Sequence, residues 1–209
     1  LFGYRPVKGF DYDPIGRQYE GVVFYPLREI SAIFGTITVP LVYSTARQLD
    51  ISWVGSILAA CLYCFDNLNI IESRLILMDS QIMFYLVLSL YCTLKLWKTR
   101  PNTLRRYMWI VVTGFVCGCS ISVKWTALAT PALIAIVSFF GLHFLDEPLS
   151  LAECLGAGGV GIALYVFLFF VHFLIHTHDG PGAPFFTDDF KKTLIGHPEF
   201  DPTVTKPSF

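Results

Sequence analysis

The sequence predicts an all-α polytopic membrane protein, a bundle of about six transmembrane helices. Three observations carry that expectation. Of the 209 residues, 54% are hydrophobic and only 15% charged, whereas a soluble domain carries about 25% charged residues. Apolar stretches recur along the whole chain, each near the roughly 20 residues needed to cross hydrocarbon. The ionisable residues gather in a few short stretches between those runs, as the cost of burying charge in lipid requires.

Residues 1–25 are polar, aromatic and turn-rich, with Gly3, Pro6, Gly9, Pro14, Gly16 and Gly21. They are expected to form a water-facing loop leading into the membrane. A transmembrane helical domain over 26–176 follows, with spans at 27–47, 51–71, 75–97, 107–123, 125–145 and 151–175. Pro40 and Pro131 fall inside spans, where neighbouring helices can satisfy the freed carbonyls. Gly156, Gly158, Gly159 and Gly161 in the last span either admit a close helix neighbour or loosen the helix locally. Residues 177–209 are expected to form a second water-facing loop.

Lys and Arg counts orient the spans. Lys95, Lys98, Arg100, Arg105 and Arg106 follow the third span and Arg47 follows the first, while the opposite loops hold only Arg74 and Lys124. Positive-inside bias puts the basic loops in the cytosol, and setting topology is their expected role. No nucleic-acid partner is expected: no phosphate-binding glycine loop is present, and the net charge of −1 argues neither way. Six spans return the chain to the side on which it began. The lead-in loop, the 72–79 stretch, Lys124 and the tail from His176 then share the non-cytosolic face, with Arg28 and Glu29 in the same layer.

The 72–79 stretch places Glu72, Arg74 and Asp79 within eight residues of otherwise apolar sequence, which marks a polar site. On one continuous helix Glu72 and Asp79 share a face about 10 Å apart along the axis, and Arg74 and Asp79 lie about 140° apart around it. Arg74 therefore either pairs with Glu72 or Asp66 and anchors a helix end, or serves a partner elsewhere. Lys124, beside Trp125, is either a lysine snorkelling to the interface or a point charge suited to a phosphate. Arg28 and Glu29 also fit a plain interface ion pair.

All six cysteines lie inside apolar runs. Cys61 and Cys64 have redox-pair spacing, but small apolar residues on one helix face are the expected role. His172 and His176 stand four apart near His178 and Asp179, as a metal-ligand pair would. With no HExxH and no second ligand cluster, no metal is expected. The Gly180-Pro-Gly182 turn is expected to end the last helix and lead the chain along the membrane surface.

The order and spacing of several motifs resemble the protein O-mannosyltransferase family. They are Leu1-Phe-Gly-Tyr4, Phe10-Asp-Tyr-Asp13, Gly16 and Tyr19, then Tyr25-Pro-Leu-Arg28 and Phe65-Asp-Asn67. Glu72-Ser-Arg-Leu-Ile-Leu-Met-Asp-Ser80, Ile121-Ser-Val-Lys-Trp125 and His178 before Gly180-Pro-Gly182 complete the series. The resemblance implies part of a GT-C glycosyltransferase membrane domain. It implies transfer of mannose from dolichyl phosphate mannose, a donor substrate rather than a cofactor, to Ser or Thr hydroxyls of proteins in the endoplasmic reticulum lumen. Both chain ends would be luminal, and a dimer with a paralogue is implied. Lys124 would contact the donor phosphate, with Arg28 and Arg74 assisting. Glu72, Asp79, Trp125 and His178 would shape the cleft. The catalytic base, an Asp-Glu pair on the first luminal loop, would precede Leu1, and a MIR domain would follow Phe209.

Three positions depart from the family pattern: Glu72 replaces the usual Gln, Asp179 the usual Ser, and Ala183 the usual Asp. Two other readings of the same scaffold are a GT-C enzyme using another lipid-phosphate sugar and a non-catalytic membrane subunit.

Overall fold

A computed structural model describes residues 25–141, 145, 148–180 and 185–204. The expected loop over residues 1–24, the Asp146-Glu147 turn, Pro181 to Pro184 of the tail, and Thr205 to Phe209 lie outside the described residues. Every extended element among the described residues is an α-helix; pairing of His178 with Ile195 is an isolated bridge. The chain divides into two compact units, one ending at Leu164 and the other beginning at Tyr165.

In the first unit, α1 (Tyr25–Gln48) and α4 (Asp79–Trp97) pack together, and α5 (Leu104–Val123) packs on α4. Most surfaces of these helices remain apolar and exposed, as a lipid-facing bundle requires. The buried positions are instead rich in small hydroxyl residues: Ser31, Thr38, Ser56, Ser89, Thr93 and Ser120. Many such hydroxyls donate to carbonyls three or four residues back, as Thr38 does to Phe34 (2.7 Å) and Thr93 to Ser89 (2.7 Å). Helix packing without a hydrophobic driving force relies on such compact residues.

The second expected span is broken. The helix α2 (Trp53–Phe65) stops at Asp66, and α3 (Asn67–Arg74) sets off at 55° to it. Asp66 adopts extended backbone and its carboxylate accepts from the Asn69 amide at 3.0 Å, so one residue ends α2 and caps α3. The third span begins at Asp79 rather than at residue 75. Residues 75–78 form a link whose Leu77 carbonyl accepts a hydrogen bond from Ser31 Oγ at 3.0 Å. Glu72 and Asp79 consequently lie on different helices, not on one face of a single helix.

The fifth expected span is shorter than its hydropathy implies. Lys124 is extended (φ −161°, ψ 135°); a 3-10 turn (Trp125–Leu128) follows, then α6 (Ala129–Phe140). Gly141, at φ 70°, terminates it before residue 145. Pro131 thus sits in the first turn of α6, where its missing N–H leaves no helical bond unmade. Among the described residues four helices are long and apolar enough to cross a membrane, or five if α2 and α3 count as one bent span. Six were expected; the remaining stretch, Trp125–Phe140, is the short one.

The long helix α7 (Leu151–Ile175) begins in the first unit and continues into the second. In the first unit it crosses α5 at backbone contact. A Cβ on Gly118 would lie 2.7 Å from the Gly161 carbonyl oxygen, and one on Gly114 would overlap the Ala157 carbonyl. Gly158 and Gly159 meet nothing within 4 Å. The two readings of the glycines thus divide by position: Gly161 admits a neighbour, and Gly158 and Gly159 do not.

The far ends of α4 and α5 carry a charged clamp. Arg106, 2% exposed, sends Nη2 to Glu153 Oε2 at 3.0 Å and Nε to Oε1, while its Nη1 donates to the Thr99 carbonyl at 3.3 Å. Glu153 also accepts from the Ser150 amide (2.8 Å), and Ser150 Oγ accepts from the Glu153 amide (3.3 Å). This reciprocal capping box starts α7. Leu96, Ile110 and Leu149 form a buried cluster in this unit. Asp50 pairs with Lys98 at 3.1 Å in the adjoining turns.

The second unit runs from the last turns of α7 to α8 (Asp188–Lys191). Phe173, Phe186 and Phe190 stack edge to face at 5.1–6.0 Å, over the fully buried Leu194. The Asp179 amide donates to Ile195 and the Ile195 amide to Thr177, each at 3.0 Å, which ties the chain after α8 back to the end of α7.

Candidate functional site

The polar site forms where two helix ends meet. Lys124 follows the last residue of α5, and Asp79 opens α4; Lys124 Nζ lies 3.2 Å from Asp79 Oδ1. Each charge suits its helix end: the carbonyl end of α5 is partially negative and the amide end of α4 partially positive. The side chains are 49% and 33% exposed, so an arriving ligand can reach both. An ion pair this open contributes about 0–1 kcal/mol in water; its principal effect is to aim the ammonium.

The structure places the other sequence-predicted residues around or away from that pair. Arg28 and Glu29 are exposed on the first turn of α1. One turn further on, Ser31 bonds the link that precedes Asp79. Arg74 is the last residue of α3 and exposed; among the described residues it pairs with neither Glu72 nor Asp66, so it is no simple helix-end anchor. Glu72, half-buried on α3, lines a separate recess with Gly35, Tyr63 and Ser80. Trp125 is exposed at the start of the 3-10 turn. His178 belongs to the second unit, where its Nδ1 lies 2.9 Å from Thr177 Oγ1.

The remaining candidates have structural settings. The His172 and His176 rings lie 5.2 Å apart, with His176 also 5.2 Å from Phe186, within the aromatic cluster. Among the described residues no three His, Cys, Asp or Glu side chains converge as metal ligands. Cys61 and Cys64 are both free and exposed on α2.

Sequence reasoning placed Lys124 and Asp79 in one layer but did not pair them, because 45 residues separate them. It gave Ser80 no role beyond its place in the Glu72–Ser80 motif, and it missed Tyr63. The only signal for Ser80 was a polar pair, Asp79-Ser80, opening an apolar run. It also counted Arg106 as a loop charge, although Ser150-x-x-Glu153 carries the capping-box pattern that marks the clamp's other half.

The fold and site therefore define a multi-pass helical membrane protein with a lysine–carboxylate pair at the meeting of two helix ends. Residues 1–177 match the family described as dolichyl-phosphate-mannose-protein mannosyltransferase. The chain belongs to that family. It is 32% identical to dolichyl-phosphate-mannose–protein mannosyltransferase 1 of Saccharomyces cerevisiae, over 88% of this chain and 24% of that protein. It is 28% identical to protein O-mannosyl-transferase 1 of Rattus norvegicus, over 90% of this chain and 28% of that protein. One solved structure, the S. cerevisiae protein O-mannosyltransferase Pmt1-Pmt2 complex bound to the sugar donor, matches with a TM-score of 0.78 and 29% identity. That match covers 90% of this chain and 27% of that one. The chain thus spans about a quarter of the length of the relatives it matches.

Proposed function

We propose that the protein to which this chain belongs transfers mannose from dolichyl phosphate mannose to Ser and Thr hydroxyls of proteins in the endoplasmic reticulum lumen. The observation that carries the reading is the Lys124–Asp79 pair, an exposed ammonium held at a helix end in a chain of this family. The donor's phosphate takes Lys124 over from Asp79 and places its charge near the amide end of α4. Arg28 and Arg74 add positive charge to the same layer. Trp125 borders the cleft.

In the reaction the acceptor oxygen attacks the mannose anomeric carbon, and its proton passes to a carboxylate. The bond from that carbon to the phosphate oxygen breaks with inversion, and the electron pair leaves on dolichyl phosphate. Lys124 stabilises that leaving anion. The base is an Asp-Glu pair on a loop preceding residue 1, and none of this chain's residues is assigned that role. Both ends of the chain face the lumen, a MIR domain follows, and the protein works as a dimer with a paralogue. The last point is supported by the two-subunit assembly of the matched structure.

Lys124→Ala in the full-length protein should lower mannosyl transfer to acceptor peptides on the order of 10²-fold or more, as loss of a leaving-group donor does elsewhere. Membrane insertion should be unchanged. Labelled dolichyl phosphate mannose and mass spectrometry of the peptides give the measurement, and wild-type turnover by the variant would sink the assignment. Transfer of a different sugar would favour another lipid-phosphate-dependent reaction on the same scaffold.

A further inference from the structure

Between α1, α2, α3 and α4 lies a small recess open on one side. Its polar wall is made by Tyr63, Asn69, Glu72, Ser73 and Ser80. Gly35 lets α3 approach α1, since a Cβ there would sit 2.6 Å from Ser73 Cβ. Two side chains in this wall lack what their chemistry requires. Ser80 is only 4% exposed, yet its hydroxyl has no hydrogen-bond partner. Serines deeper in these helices donate to carbonyls of the preceding turn, as Ser89 does to Leu86 at 2.7 Å. Ser80 is the second residue of α4 and has no preceding helical turn to donate to. Glu72, half-buried on the same wall, has no cation within 4 Å among the described residues.

These two gaps specify a ligand. A carboxylate only accepts, so the occupant must bring a donor; the Ser80 hydroxyl can accept as well as donate, but its unmet proton calls for an acceptor on the occupant. Ammonium and guanidinium groups supply donors but no acceptor. Phosphate or carboxylate would meet the charge of Glu72. A hydroxyl supplies both functions from one atom, and the recess is scaled to a small group. We propose that this recess is a subsite for a ligand hydroxyl, which donates to Glu72 and accepts from Ser80. The inference rests on the reaction proposed above, whose two substrates both carry neutral hydroxyls: the sugar of the donor and the Ser or Thr side chain of the acceptor.

Saturation-transfer NMR on the full-length protein in detergent distinguishes the sources, with methyl α-mannoside and N-acetyl-threonine amide as probes. One of them should bind, and Ser80→Ala should weaken it about three- to tenfold, the effect of a single hydrogen bond. Glu72→Ala should weaken the same probe, with Glu72→Gln intermediate because its amide oxygen still accepts. Thermal unfolding supplies the control. Ser80→Ala removes an unpartnered hydroxyl, so its midpoint should hold or rise, whereas a merely structural serine would lower it. Binding of neither probe means that water alone occupies the recess and overturns the proposal, as does binding unaffected by both substitutions. Probe binding by a wild-type protein that transfers no mannose would overturn the reaction and leave the subsite standing. Transfer without probe binding would overturn the subsite alone.

Discussion

Replacing Gly118 by alanine should destabilise the first unit, whereas the same substitution at Gly158 should leave it unharmed or firmer. At Gly118 the added Cβ would stand 2.7 Å from the Gly161 carbonyl oxygen, roughly 0.7 Å inside the 3.4 Å where ordinary contact begins. The obstacle is backbone on a second helix, so no rotamer change relieves it, and α5 and α7 must separate. Overpacking of this kind costs about 1–3 kcal/mol. At Gly158 nothing lies within 4 Å, and alanine removes glycine's excess unfolded-state entropy, for a gain of about 0.5–1 kcal/mol. The two variants should therefore differ by about 1.5–4 kcal/mol. Thermal unfolding of the full-length protein in detergent, with the exposed Cys61 and Cys64 replaced by serine and a thiol-reactive dye reporting exposure of buried Cys92, measures both. Equal effects at the two positions, or a more stable Gly118→Ala protein, would refute the backbone-contact reasoning.

The Arg106–Glu153 clamp makes a second prediction: Glu153→Leu alone should cost about 3–5 kcal/mol by stranding buried charge, while Arg106→Leu with Glu153→Leu should recover most of the loss. Dye-monitored unfolding of the single and double variants checks it. In the second unit, the hydrogen bond and charge of Lys191 hold the Asp188 carboxyl below its ordinary range, and the Thr203 hydroxyl and amide do the same for Asp201. A carboxyl depressed in the folded state stabilises fully above its ordinary value of about 3.9 and loses that contribution as pH falls through the lower folded value. Amide hydrogen exchange around α8 should therefore be flat from neutral pH down to about 4, after correction for intrinsic rates, and lose protection only below. A loss of protection already at mildly acidic pH would contradict the assignment.

The spans were legible wherever hydropathy and helix length coincide. The expected 151–175 span is α7 to the residue, and the ends of α1, α4 and α5 near Gln48, Trp97 and Val123 follow the first polar residues after apolar runs. The interruptions were harder to see. Asp66 sits in an apolar run, and a hydropathy sum passes over it, although an aspartate three residues before Asn69 is a capping signal that could have located the break. The 75–78 link is Leu-Ile-Leu-Met, as apolar as any helix, and the hydrogen bond that Ser31 of α1 makes to its Leu77 carbonyl is a tertiary contact that hydropathy does not register. The same distinction separates the site residues. Topology put Lys124 and Asp79 on one level, because alternation of spans is a one-dimensional property of the chain. Their pairing, like the meeting of Glu72 with Ser80 across a recess, depends on how helices distant in sequence lean together. Arg74 shows the converse: its neighbours in sequence offered carboxylates, and the fold uses neither.

The capped corner at Asp66 also acts as a ruler. From that residue α3 counts forward to Ser73, which presses on Gly35, and to Glu72 beside it. One inserted residue between Asp66 and Glu72 would turn the far end of α3 by about 100° and advance it about 1.5 Å. Ser73 would leave its place opposite Gly35, and Glu72 would swing out of the wall it shares with Ser80. Homologous chains should accordingly vary in side chain along this segment far more readily than in its length.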